Sequence, residues 1–222
     1  MARLDEETEQ VIPGQVIWSI VLYGSCSRDP EDYDERFPDG KGMEQRRAEL
    51  ELRPIIPEEH RGTTASRTRY MQELSRSFGE DVKHSRNWRC EFCKKFARET
   101  LWSMASWLHL NPPRVKSYVH NICSAGPGPC ADIFVMHDKQ MAEISGHSNH
   151  ELWSPRAPTS VIFPMSASCA VCKNEAQSSR KNLKQCARCK FTRYCSIECQ
   201  KEHWPSHKVF CKAVIDIKWV WN

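Results

Sequence analysis

Eight residues in the last quarter of this 222-residue chain stand at spacings that chemistry can use. They are Cys169-x2-Cys172, then thirteen residues, Cys186-x2-Cys189, five residues, Cys195-x3-Cys199, seven residues, and His207-x3-Cys211. Each Cys-x-x-Cys can fold into a knuckle, a tight turn that aims two sulfurs at one metal ion. The pairs Cys195/Cys199 and His207/Cys211 lie at i and i+4, so on a helix each pair shares a face. Thiolates and imidazole are zinc ligands, and eight of them make two closed tetrahedral sites of the structural kind. No carboxylate completes either set, and no coordination position is left for a catalytic water. The stretch also needs the metal. Its large apolar residues are only Val171, Leu183, Phe191, Tyr194, Ile197, Trp204, Val209 and Phe210, too few to order 43 residues unaided.

A sparser set lies upstream. Cys90-x2-Cys93 has knuckle spacing, and His120-x2-Cys123 follows after twenty-six residues. Together they offer Cys90, Cys93, His120 and Cys123 as ligands for a third zinc. Cys130 or His109 can replace one of them, and a plain turn beside a packed His and Cys fits the same residues. Cys26 is a lone thiol.

The lattice continues as Tyr194-Cys195-x3-Cys199-Gln200 and then Lys201-Glu202-His203-Trp204-Pro205-Ser206-His207-x3-Cys211. This order resembles the MYND-type zinc finger over residues 169–211. A RING finger would end on Cys-x-x-Cys with its histidine in the middle; the HIT-type finger is the nearest rival, and Gln200-x3-Trp204-x2-His207 argues against it. The resemblance implies interleaved pairs: Cys169, Cys172, Cys195 and Cys199 on the first zinc, Cys186, Cys189, His207 and Cys211 on the second. His203 is the competing ligand, four residues from Cys199 and from His207, and its other role is that of a solvated helix residue. The resemblance also implies protein–protein recognition, commonly of short proline-containing peptides, with Gln200 and Trp204 lining the peptide groove one helical turn apart. A small polar residue in the second knuckle joins that groove in known members, and Ala187 stands at that position here. A tryptophan-rich Cys-x-x-Cys segment followed by such a finger is similar to fungal MYND-domain proteins, a likeness that transfers no activity.

The elements that must position these residues are only partly legible. Gln15–Tyr23 reads as a strand, Met43–Leu52 and Ser66–Phe78 as helices, and Asp132–Ile144 as a helix. The fold expected is α+β, small and loop-rich, with a helical C-terminal half of the finger. Residues 1–85 read as a poorly ordered region, 86–145 as a small Cys/Trp-containing module, 146–168 as a linker, 169–211 as the finger and 212–222 as an apolar tail packed on one of the latter modules. The basic run Arg61–Arg69 reads as solvated loop.

Composition limits the function classes. Seven thiolates and two zinc ions take the formal net charge from +4 to +1, so the total implies no polyanion partner. The start Met1–Glu7 is acidic rather than basic, and Val16–Tyr23 is far short of the roughly 20 apolar residues of a bilayer span. An intracellular, reducing compartment, nuclear or cytoplasmic, is expected, with no membrane partner. The expectation is a non-enzymatic zinc protein that binds a protein or peptide. Two alternatives are a nucleic-acid-associated regulator using Lys181, Lys184, Arg188, Lys190 and Arg193, and a degenerate relative of SET/MYND lysine methyltransferases. Against the latter, no SET-like glycine-rich cofactor turn is found upstream.

Overall fold

The run Ile17–Tyr23 is aromatic and β-branched, which suits a strand buried on both faces, and it forms the centre of the molecule. The computed structural model describes residues 12–26, 46–124, 126–145, 162–177 and 183–219. In chain order the elements are β1 (Ile17–Tyr23), β2 (Ser25–Cys26), β3 (Arg46–Leu52), α1 (Thr64–Ser77), α2 (Gly79–Lys83), β4 (Trp88–Arg89), β5 (Glu99–Trp107), β6 (Arg114–Ile122), α3 (Pro129–Ser145), β7 (Lys184–Gln185), β8 (Arg193–Tyr194), α4 (Ile197–Ala213) and β9 (Val214–Trp219). The fold is mixed helix and strand, with the cysteine-rich region at the C-terminal end.

Five strands make one sheet in the order β5-β6-β1-β3-β9. β1 runs parallel to β6 and antiparallel to β3. The expected helix over Met43–Leu52 is instead strand β3 from Arg46 onward. Ala48, Leu50 and Leu52 are buried and alternate with Glu49 and Glu51, the period-2 pattern of a sheet face, and pairing on both sides overrides the helix propensity of Ala, Glu and Leu. Residues 212–219 pack on the finger and on segment 86–145 as expected, through Trp219, and Val214–Trp219 also forms a strand. β9 pairs with β3, Lys218 facing Glu49 and Ile217 facing Leu50. The sheet therefore joins segments assigned above to three separate regions.

α1 is capped by Thr63, whose hydroxyl accepts the Ser66 N–H at 3.1 Å, and it buries Met71 and Leu74. Phe78, between α1 and α2, stacks on Trp18 of β1 and meets Phe210 of α4 edge-on, with centroids 5.5 and 5.1 Å apart. Trp219 of β9 stacks on Phe191 at 5.9 Å and lies tilted 6.4 Å from Trp88. One buried cluster thus runs from the sheet through Phe191, Tyr194 and Phe210 to Cys169, Cys186, Cys189 and Cys211. The basic run is loop only up to the start of α1, and two of its arginines are anchored: Arg61 donates to the Ile56 carbonyl and Arg67 to those of Arg61 and Leu108, while Arg69 is exposed. Of the expected linker, the described part is fixed too, since Ser166 donates its hydroxyl to the Trp88 carbonyl and its N–H to that of Ala97. Among the described residues no helix is long and apolar enough to cross a membrane.

Candidate metal centre and interaction surface

Three short structures deliver the finger's ligands. The knuckles Cys169–Cys172 and Cys186–Cys189 each close with an N–H from the following lysine to the first cysteine's carbonyl, Lys173 to Cys169 at 3.3 Å and Lys190 to Cys186 at 2.8 Å. Those lysines have φ of 57° and 53°, a left-handed conformation that costs a non-glycine residue about 1–3 kcal/mol. β7 and β8 flank the second knuckle and pair as a two-stranded ribbon. Ser196 caps α4 by accepting the Cys199 N–H at 3.3 Å, and the helix then carries Cys199, His207 and Cys211.

The side chains gather in two groups. Cys169, Cys172, Cys195 and Cys199 bring their sulfurs within 4.8 Å of one another, and so do the ligand atoms of Cys186, Cys189, His207 and Cys211. The close pairs are Cys172–Cys195 at 3.5 Å, Cys195–Cys199 at 3.6 Å, Cys186–Cys211 at 3.9 Å and Cys189 to His207 Nε2 at 3.7 Å. A zinc ion 2.3 Å from each of four sulfurs sets them about 3.8 Å apart. The residues therefore fit two zinc ions with first pair joined to third and second to fourth. Burial opposes the thiolate at Cys169, but the backbone N–H groups of Val171 and Cys195 outweigh it and bring the pKa down to about 7. At Cys186 burial is likewise overcome, by the N–H of Cys189 and by His207, again to about 7.

Sequence reasoning missed the residue behind His207. Asp81 of α2, fully buried, accepts from His207 Nδ1 at 2.6 Å and from the Thr192 hydroxyl at 2.9 Å. The carboxylate fixes the ring so that Nε2 faces the sulfurs, the outer support that metal-binding histidines commonly have. Burial disfavours the charged ring, yet Asp81 and Cys189 hold the His207 pKa up at about 10; zinc at Nε2 takes the place of that proton. His203 is not among the four gathered residues. It is half-buried rather than solvated, with Nδ1 3.0 Å from the Tyr194 hydroxyl. Its pKa is lowered by burial, against the pull of Asp81.

Gln200 and Trp204 share a face of α4 with Ile197. Trp204 is 39% and Ile197 61% exposed. Gln200 is half-buried and points its amide at Cys186, 3.5 Å away. Ala187, next to Cys186 in the chain, is exposed. Lys184, Arg188 and Lys190 are exposed, but Arg193 is buried, bound to Asn87 and the Ser166 carbonyl; Lys181 lies outside the described residues. A cavity of about 460 Å³ opens between the second knuckle and β9, lined by Arg188, Lys190, Ile215 and Trp219 among others.

The upstream set is assembled differently from expectation. Cys90, Cys93 and Cys123 come together with Cys130, not with His120. His120 sits within β6, where Nδ1 bonds the buried Glu91 carboxylate at 2.8 Å and the ring stacks on Tyr23 at 4.9 Å. Cys130 arrives on the first turn of α3. His109, the other alternative, is exposed at the β5–β6 turn and outside the group.

Residues 169–211 match the profile of the MYND finger family, and the finger with its cysteine clusters is a zinc-binding module. Relatives match over the same region. N-lysine methyltransferase SMYD2 of Gallus gallus is 46% identical over 43 residues, 19% of this chain and 10% of that protein. SET domain-containing protein 14 of Caenorhabditis elegans is 46% identical over 41 residues, 18% and 10% of the two chains. SET domain and MYND-type zinc finger protein 6 of Schizosaccharomyces pombe is 40% identical over 50 residues, 22% and 10%. The chain thus spans about a tenth of the length of these relatives. No solved structure gives a significant match.

Proposed function

We propose that this chain is a non-enzymatic zinc-binding adaptor whose MYND finger binds a short, proline-containing peptide against α4 and the second knuckle. The observation that carries the reading is the face Ile197, Gln200, Trp204, exposed at Ile197 and Trp204, with the half-buried Gln200 amide held beside Cys186. Trp204 offers a flat apolar wall for a proline ring, and Gln200 can pair with a peptide backbone. β7 is hydrogen-bonded to β8 alone among the described strands, so its other edge can take an added strand. Two closed four-ligand sites leave no position for a reacting water, which supports a role in recognition rather than chemistry. The likeness to lysine methyltransferases lies in the finger alone, and methyl transfer is not proposed here.

The test is capture of peptides from a proline-rich library by the intact chain and by two variants. Gln200→Ala is expected to keep zinc content and Tm, because alanine is the better helix former, while binding falls about tenfold, the loss of one hydrogen bond and its packing. Trp204→Ala is expected to abolish capture at a stability cost of about 1 kcal/mol, since the ring is partly exposed. Undiminished capture by both variants would refute the groove.

A further inference from the structure

We propose that Cys90, Cys93, Cys123 and Cys130 hold a third structural zinc ion, outside the finger. Three independent observations point to it. The first is convergence. The four sulfurs lie within 4.8 Å of one another although they come from three places: the turn after β4, the residue after β6 and the first turn of α3. The Cys93–Cys123 separation is 3.6 Å, close to the edge of a sulfur tetrahedron around zinc, about 3.8 Å, and equal to the Cys195–Cys199 separation within the finger.

The second is the backbone of the turn. Among the described residues, three non-glycine residues have positive φ: Lys94 at 61°, Lys173 at 57° and Lys190 at 53°. Each directly follows a Cys-x-x-Cys. Lys94 donates its N–H to the Cys90 carbonyl at 3.1 Å, as Lys173 and Lys190 do to Cys169 and Cys186. Cys90–Lys94 is therefore a third copy of the finger's knuckle, with the same disfavoured residue in the same strained place.

The third is burial. Cys90 and Cys130 are buried, Cys93 exposed and Cys123 intermediate, close to the pattern of Cys169, Cys172, Cys195 and Cys199. The local apolar cluster is small, built on Leu101, Ile122 and Phe134 around Cys90 and Cys130. A tetrahedral ion there ties the start of α3 to the end of β6 and to the β4 turn, and so fastens the helix to the sheet. Four thiolates fill the coordination sphere, so the ion is structural and the ligand is Zn2+ rather than a hard cation.

The experiment is metal analysis of the intact chain, purified under reducing conditions, by native mass spectrometry. The expected count is three zinc ions per wild-type chain, two in Cys130→Ser and in Cys123→Ser, and three in His120→Ala. Should the cysteine variants fail to fold, titration of the chelator-stripped, reduced wild type with Co2+ decides, with saturation of the thiolate absorption expected at three equivalents. Two zincs in the folded wild type, saturation at two equivalents of Co2+, or loss of the third ion in His120→Ala with its retention in Cys130→Ser would each overturn the assignment.

Discussion

At the scale of the residue, Asp81 shows how the body of the protein reaches into the finger. Its carboxylate is bound by His207 and by Thr192, which stand on either side of the second cluster. Asp81→Asn keeps the shape and an acceptor oxygen but removes the charge that supports His207. The expected outcome is that one finger zinc is released to a competing chelator about 10–100-fold more readily, with the site at Cys169 unchanged; equal release of both ions as in the wild type would show that the carboxylate does not matter. The eight ligands were legible because their spacing is local. Asp81 was not, since 126 positions separate it from His207. A trace of it was nevertheless present: Asp81 falls on the same helical face as Phe78, Val82 and Ser85, where an acid has no reason to be unless it is partnered. The choice of His120 over Cys130 failed for a similar reason. Spacing rewarded the nearer residue, whereas the turn Gly126–Gly128 brings the chain back so that the first turn of α3 supplies the sulfur.

At the scale of the element, β9 is a six-residue strand that ties the sheet to the finger. It completes the sheet edge at β3, and its Trp219 stacks on Phe191 while the Arg86 guanidinium lies 4.1 Å from the ring centroid. Trp219→Ala is expected to cost about 3 kcal/mol, seen as a fall in Tm of about 6–12 °C in thermal denaturation, with zinc content unchanged. A shift below about 2 °C would mean that the stack contributes nothing. Strand β1 could be read from Ile17–Tyr23 because a doubly buried strand is a continuous apolar run. β3 could not be read as easily. Arg-Arg-Ala-Glu-Leu-Glu-Leu is made of good helix formers, and only its alternation, fixed by two neighbouring strands, gives it away.

At the scale of the whole molecule, the finger is built into the domain rather than hung from it. Phe210 packs on Phe78, Arg193 donates its backbone N–H to the His84 carbonyl, and Asp81 crosses the boundary. The fragment 165–222 is therefore expected to take up two zincs but to hold the His207 site at least about tenfold more weakly than the intact chain, measured as the chelator concentration for half-release; identical midpoints would mean that the body lends the finger no support. The boundaries drawn from composition missed this union, because the sheet that creates it pairs residues from both ends of the sequence. That pairing has a temporal side. During synthesis β3 leaves the ribosome long before Val214–Trp219, on the order of 10–30 s at ordinary elongation rates, and its outer edge stays open meanwhile. β9 starts three residues after Cys211, so an ion that fixes the end of α4 would also hold β9 in place for pairing with β3. In a cell short of zinc the chain would linger with an unpaired strand edge, the form that aggregates or is degraded. The amount of this protein is thus expected to follow the zinc supply of the cell that makes it.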